Sequence, residues 1–441
     1  MLSRSVWMGL IFLVISSHPS FSQQKNAKNQ QKKGTKTKIL KSSQRKKILA
    51  YALRYNPGLR AFQARIQRAK AKLKGTRVFP NNPVLSGGGG SQFPANSTPA
   101  SGQSSPILPR VEAGLSLALP VGGRWGKTQQ LASSQLTWIQ RLGHYRRFQL
   151  SLRVHQALNR VAMAQRIQKK RLAIVSFFQR TEGFVQKRMK HGTATQLDLQ
   201  LAQTSRLRAQ QAVLSATLQT RLMRQRLETL AGWTSSKRLP WHTIVVPAFA
   251  PLPKKALLLS KGLRSHVRIR LAEAMIHQSK SMLALSKARA IPDLTFSLGY
   301  ALEDNNHIVR GSVSIPLPFF WRNQSAVGQN HARFSRARLL LVRQRFLVRK
   351  RILQAHTSYQ ANLRTIRLFK KQFQSVKARS QLIEKGLREG SFSVFQVLTA
   401  QRSVLQSELL YLQNIQRTHE SYIQLCRSAG FLPVYKGVFQ P

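Results

Sequence analysis

The feature that most restricts how this chain can fold is that its second half repeats its first. His191-Gly192-Thr193-Ala194-Thr195-Gln196-Leu197 aligns with Glu389-Gly390-Ser391-Phe392-Ser393-Val394-Phe395, and the register holds without a gap to Leu230-Ala231-Gly232 against Ser428-Ala429-Gly430. Within it Leu199 meets Val397, Ala202-Gln203 meets Ala400-Gln401 and Leu207 meets Leu405. A similar interval separates Pro120 from Pro316, each ending a strand-like run, and Pro80 and Pro292 each close a helical segment and open a strand. A repeat this long is a duplicated supersecondary unit. Each half reads as helix, strand, turn, strand, very long helix, tight glycine turn, long helix. The first unit is predicted over 42–233, with a β-hairpin at about 81–121 and a helical hairpin at about 124–232. The second covers 256–430, with its β-hairpin at about 292–319 and its helical hairpin at about 321–430. A Pro-containing linker, 234–255, carries the short apolar run Ile244-Val245-Val246, and 431–441 is read as a C-terminal tail.

The strands are read from alternation. Val111, Ala113, Leu115, Leu117 and Leu119 alternate with Glu112, Gly114, Ser116 and Ala118. Leu294, Phe296, Leu298, Tyr300 and Leu302 do the same, and Val309, Gly311, Val313, Ile315 and Leu317 form the return. The first strand, near Val84 to Gly90, is weak because of its glycines. One apolar face and one small or polar face fit transmembrane barrel strands, although ordinary sandwich strands alternate in the same way. Two hairpins supply only four strands, too few to close, and an open edge cannot face lipid. Strands in a membrane would therefore have to be pooled among several chains.

The helices are equally constraining. Arg124 to Arg188 holds no proline and only Gly126, Gly143 and Gly183, so it can run for roughly 100 Å, as can Trp321 to Leu387. Helices this long need coiled-coil-like partners, and Leu398, Leu405, Leu412, His419 and Cys426 recur every seventh position as a seam. Cys426 and His419 are thus predicted to be core residues.

With 73 Lys and Arg against 12 Asp and Glu, the formal charge is +61. Nucleic-acid binders concentrate such charge in a patch or module. Here it is spread through nearly every helical stretch from Arg45 to Arg427, and only Lys25 to Lys47 is a run. An acidic exterior, in which carboxylates are protonated and solubility falls to Lys and Arg, accounts for an evenly basic surface. The first residues resemble a secretory signal: Arg4, the apolar Val6 to Ile15, then Ser20-Phe21-Ser22, with cleavage expected after Ser22. The apolar run is about half of the roughly 20 residues a membrane helix needs. The tail 23–41 that follows is basic and polar, and is expected to be solvated. The single Cys426 allows no intrachain disulfide, and no cysteine follows the apolar run to take a lipid.

Motifs for chemistry are weak. Gly122-Gly123-Arg124-Trp125-Gly126-Lys127-Thr128 resembles a phosphate loop but is one residue too short. The eleven histidines show no zinc-helix spacing, Met275 and Met282 sit at core spacing, and no carboxylate is paired with a positioned histidine. Glu303-Asp304-Asn305-Asn306 reads as a solvated hairpin tip. No enzyme, cofactor or metal site is predicted.

The chain resembles the TolC-like outer membrane factor family from about Lys46 to Gly430. The marks are Asn56-Pro57, Leu119-Pro120 with Gly122-Gly123, Pro292-Asp293-Leu294-Thr295, Ile315-Pro316-Leu317-Pro318 and the two glycine-hairpin segments, all in order. The resemblance implies a mainly α fold with a small membrane β-barrel: a homotrimer whose strands make one twelve-stranded barrel on an α-helical tunnel through the periplasm. It implies a passive duct in the outer membrane, working with a periplasmic adaptor and an inner-membrane pump, with no nucleic-acid partner. The tip turns carrying Gly192, Thr193, Gly390 and Ser391 would meet the adaptor. Where relatives carry an acidic ring near the tip, the candidates here are Asp198 in the first half and Gln396 and Thr399 in the second. The cationic chain would favour anionic cargo. The competing readings are a periplasmic coiled-coil scaffold or adaptor, which leaves the β-hairpins without a purpose, and a basic nucleic-acid-binding protein, which the export signal disfavours.

Overall fold

The structure, a computed structural model, describes residues 44–92, 108–233, 244, 246–303, 306–389 and 391–435. The expected signal peptide and basic tail, half of the inter-repeat linker, Asp304 and Asn305 at the hairpin tip, Gly390 and residues 436–441 lie outside the described residues.

In the first half a helix over 44–55 (α1) leads into α2 (Pro57–Gly75), the strands β1 (Val84–Gln92) and β2 (Leu108–Leu119), and the long helices α3 (Arg124–Lys190) and α4 (Gln196–Ala231). The second half matches it: α5 (Lys255–Ser265), α6 (Val267–Ala288), β3 (Leu294–Glu303), β4 (Asn306–Ser314), α7 (Gln324–Arg388) and α8 (Val394–Ala429). The boundaries follow local chemistry. Asn56 caps α2 through its side chain and Pro57 opens it, as expected for a residue whose missing N–H would be unpaired there anyway. The helix expected from Trp321 begins at Gln324, because Asn323 sits at φ +59°, outside the helical region. The strand expected to reach Leu317 ends at Ser314, before Pro316.

All four strands form one antiparallel sheet in the order β1-β2-β3-β4, so the two hairpins lie side by side and β1 and β4 are its edges. The glycine-rich β1 is a full strand, since Gly87 to Gly90 pair with Ala113 to Arg110 through backbone bonds that need no side chain.

Below the sheet the helices stand in a single row. Toward the sheet the neighbours run α2, α3, α6, α7; toward the far end they run α4, α3, α8, α7. Helices α3 and α7 span the whole length; α6 and α8 meet end to end between them, and α2 and α4 meet end to end on the outer flank of α3. At one splice Gly232, which ends α4, lies against Tyr55 and Pro57, and Asn56 Nδ2 donates to Leu230 O at 2.9 Å. At the other Gly430, which ends α8, lies against His266, whose ring reaches Arg427 O at 3.3 Å. Both glycines have left-handed φ, +66° and +81°. A Cβ on Gly232 would fall 2.9 Å from Pro57 Cδ and from Tyr55 O. Gly232→Ala is therefore expected to lose about 1–3 kcal/mol of stability. Gly75→Ala, at an ordinary φ with open space around it, should lose nothing, and thermal unfolding of the two variants checks the difference.

Three cores hold the row together. One joins α1, α3, α4 and α8 around Ile48, Leu158, Leu227 and Ile415. A second joins α3, α5, α7 and α8 around Leu152, Ile352, Tyr359 and Leu425. The third closes the far end around Phe178, Val185, Leu199, Val394 and Val397. The seam expected on α8 is present, with Leu398, Leu412, His419 and Cys426 buried and Leu405 packed against the third core.

Candidate functional site

The cross-strand register sorts every described strand residue onto one of two faces. One carries Leu115, Leu298, Phe296, Val313, Val309 and Tyr300, most of them exposed, with nothing packed above them. An exposed apolar sheet face of this extent is unstable in water and suited to lipid. The opposite face is small and polar: Ser86, Gly114, Ser116, Ser297, Gly299 and Ser312, with the charges Arg110, Glu112, Glu303 and Arg310. Arg110 bonds Glu112 at 2.5 Å and Glu303 at 3.5 Å, so a guanidinium and two carboxylates cross β2 and β3 on that face. The sheet and the helices are locked at their junction by Arg124, which donates to both oxygens of Asp293 at 2.8 and 2.7 Å.

At the opposite end of the row, α3 turns into α4 through Gly192 at φ +71°, and Thr193 N donates back to Arg188 O at 2.9 Å. The equivalent turn of the second half closes through Ser391 N donating to Gly386 O at 3.0 Å. The candidates next to these turns are tied locally. Asp198 Oδ2 accepts from Thr195 N and Oγ1 at 3.0 and 2.8 Å while Thr195 Oγ1 accepts from Asp198 N, a capping box. Gln396 does the same for Ser393, accepting from Ser393 N at 3.0 Å. Asp198 is half-buried and Gln396 exposed, as is Thr399, which makes no such cap.

The scarce carboxylates bind neighbouring elements together. Glu420 and Glu408 on α8 pair with Arg160 and Lys170 on α3, both at 2.9 Å, and Glu182 on α3 pairs with Arg206 on α4 at 2.8 Å. Among the described residues no cluster of His, Cys, Asp or Glu could hold a metal ion.

One buried polar cluster stands out at mid-height. The Arg45 guanidinium donates to Asn159 and lies 5.3 Å from the Tyr435 ring, which also contacts His155 and His419. Arg45 Nε and Nη1, His155 Nδ1 and His419 Nε2 find no partner among the described residues. Burial, reinforced by the Arg45 charge, pushes His155 down to about 4 and His419 down to about 3; burial also lowers Arg45 to about 10.

The row of helices is open on both sides. Along α4, Leu207, Leu214, Leu218 and Leu222 are exposed, and along α7 so are Leu339, Val342, Phe346, Leu368 and Leu382. No helix among the described residues is long and apolar enough to cross a membrane.

Long paired helices below a membrane-suited sheet, duplicated within one chain, define an outer membrane efflux protein. The family model of that name matches residues 48–233 and 258–430, and the chain belongs to this TolC-like family. A curated relative, the cobalt-zinc-cadmium resistance protein CzcC of Cupriavidus metallidurans, is 24% identical over 249 residues. That match takes in 55% of this chain and about three fifths, 59%, of the relative. Among solved structures CusC superposes with a TM-score of 0.71 at 17% identity, covering 88% of this chain and 92% of that one. The outer membrane protein VceC of Vibrio cholerae gives 0.70 at 16%, covering 88% and 96%. The open state of the Neisseria gonorrhoeae MtrE channel gives 0.71 at 15%, covering 88% and 89%. Family and fold are those of channel proteins rather than enzymes, and they place the chain in the outer membrane with its helices in the periplasm.

Proposed function

We propose that this chain is the outer-membrane channel of a tripartite export system, a passive duct for cargo delivered by an inner-membrane transporter through a periplasmic adaptor. The observation that carries the reading is a match of open edges. The sheet ends at β1 and β4, and the helical row ends at α2 and α4 on one side and at α7 on the other. One flank of a subunit therefore meets the opposite flank of the next, a head-to-tail contact that closes into a ring. In such a ring β1 pairs with β4 of a neighbour and the apolar rows of α4 and α7 are covered. Three copies satisfy the family's architecture and give a barrel with no edge. The small, polar sheet face then lines a water-filled lumen, and the duct has no chemistry of its own.

In this assembly the turns at Gly192-Thr193 and Gly390-Ser391 form the periplasmic tip, where the adaptor docks. Asp198, Gln396 and Thr399 stand at the tip lining, the first two with their caps already made. The name of the CzcC relative, a cobalt-zinc-cadmium resistance protein, makes those metal ions the first cargo to assay. Trimers formed in detergent and added to a planar bilayer are expected to give discrete, ohmic conductance steps. A monomer that stays soluble without detergent and leaves a bilayer silent would instead support a periplasmic scaffold.

A further inference from the structure

We propose that the junction between sheet and helices is a collar that binds the headgroups of anionic phospholipids in the periplasmic leaflet, with aromatic side chains seated among the acyl chains. This rests on the membrane placement argued above and goes beyond it by assigning a lipid charge.

Four connecting segments meet at one level: the exits of α2, β2 and β4 and the exit of α6 into β3. They carry an unusual set of exposed apolar groups. Phe320 is 94% exposed, and the flanking Phe319 and Trp321 are 70% and 71% exposed. Phe79 and Trp125 add a second aromatic pair, with ring centroids 6.0 Å apart. The collar is rigid rather than loose. Trp125 Nε1 donates to Thr76 O at 2.9 Å, Gln129 Nε2 to the same oxygen at 3.1 Å, and Asn323 Nδ2 to Ser286 O at 2.8 Å. Aromatic side chains that keep one end wet and one end apolar are the usual residents of a membrane interface.

Charge distinguishes this collar from a neutral aromatic belt. Arg77, Lys127, Arg289 and Arg322 all stand exposed on it and have no carboxylate partner among the described residues. The one acid at this level, Asp293, is held by Arg124. A concavity of about 270 Å³ opens between Thr76, Val78, Arg124, Trp125 and Arg289. It offers a guanidinium with no carboxylate opposite it beside an aromatic ring and an aliphatic wall, which is the pairing a phosphodiester and the start of its acyl chains require. Four cations without acids at the one level where lipid headgroups begin leave a neutral headgroup poorly matched and an anionic one well matched. Repetition around a ring multiplies the effect.

The test compares retention of phosphatidylglycerol and phosphatidylcholine of equal chain length by the full-length detergent-purified trimer, read by native mass spectrometry and by the shift in unfolding temperature. Phosphatidylglycerol is expected to be kept preferentially. In the triple variant Arg77→Gln, Arg289→Gln, Arg322→Gln the preference should drop by about fivefold for each arginine removed. The Arg→Lys version of the same triple keeps the charge and should keep most of the preference, which separates a charge effect from damage to the fold. As a control, Arg208→Gln, Arg226→Gln, Arg417→Gln on the exposed surfaces of α4 and α8 should leave it unchanged. Equal retention of the two lipids, an equal loss in the control triple, or an equal stabilisation by inorganic phosphate would overturn the collar. Failure to enter bilayers of either lipid would overturn the channel reading instead.

Discussion

Replacing Leu214 and Leu218 by lysine is expected to leave a chain that folds but does not assemble. The two side chains are 71% and 57% exposed, one turn apart on the outer flank of α4, and lysine is as good a helix former as leucine. Nothing within one subunit should resist the exchange. In a closed ring the same positions lie under α7 of the neighbour, whose described surface contributes Leu368 and Leu382 and whose charges are overwhelmingly positive. Each buried ammonium would cost about 3 kcal/mol or more for want of a counterion. Each lost leucine contact adds roughly 1.5–3 kcal/mol. Every seam of the ring bears this cost, so light scattering should report monomers and bilayers should show no conductance. The volume-matched pair Leu214→Met and Leu218→Met should assemble normally. Stable, conducting trimers from the lysine pair would show that this flank of α4 faces water.

The second large effect is on stability against pH. His155 and His419 sit in folded surroundings that hold them near 4 and near 3, against about 6.5 in an unfolded chain. Between those values the unfolded chain binds more protons than the folded one, so stability falls as the pH is lowered from about 6.5. The contribution is full above pH 6.5 and gone below about 3, with a loss on the order of 3 kcal/mol per histidine. The groups facing the pair offer no relief. Arg45 comes from α1, Asn159 from α3, Tyr422 and Cys426 from α8, and Tyr435 and Phe249 from the segments beyond, and none is an acid. Unfolding temperatures measured from pH 7 to pH 3 should fall steeply below 6.5 in the native chain. They should fall much less in His155→Gln with His419→Phe, in which His266, whose pKa burial also lowers, and the carboxylate pairs still titrate. The depressed values also keep both imidazoles neutral to about pH 4, so an acidic exterior of the kind the basic composition predicts would be tolerated over part of its range. Identical profiles for the two proteins would remove these histidines from the account.

Much of this architecture was legible because it was written twice. The glycine pairs at the turns and the helix ends, the proline stops and the alternating hairpins each appear in both halves, and periodicity alone was enough to type the elements. Other features escaped for identifiable reasons. The glycines of β1 mask its alternation, but a strand joined by main-chain bonds to a strong neighbour needs little from its own side chains. Asp198 and Gln396 drew notice as candidates for the tip lining, while the Thr-x-x-Asp and Ser-x-x-Gln spacings that bind them into capping boxes were present in the sequence and carried the local signal. Arg45 could not be singled out, because it lies at the end of a basic run and only the packing of α1 against α3 buries it. The end-to-end meeting of α4 with α2 and of α8 with α6 joins residues far apart in the chain, and no local pattern announces it.

Those two meetings make the wall a mixture of continuous posts and butted ones. Only α3 and α7 carry covalent chain through mid-height. The other two columns change over at a glycine, held by a few polar contacts and by packing instead of an unbroken ladder of backbone bonds. A twist applied at the lower rim is thus concentrated at one level, where half the columns can pivot on their ends without breaking a helical turn. The barrel above can stay sealed while the mouth below widens.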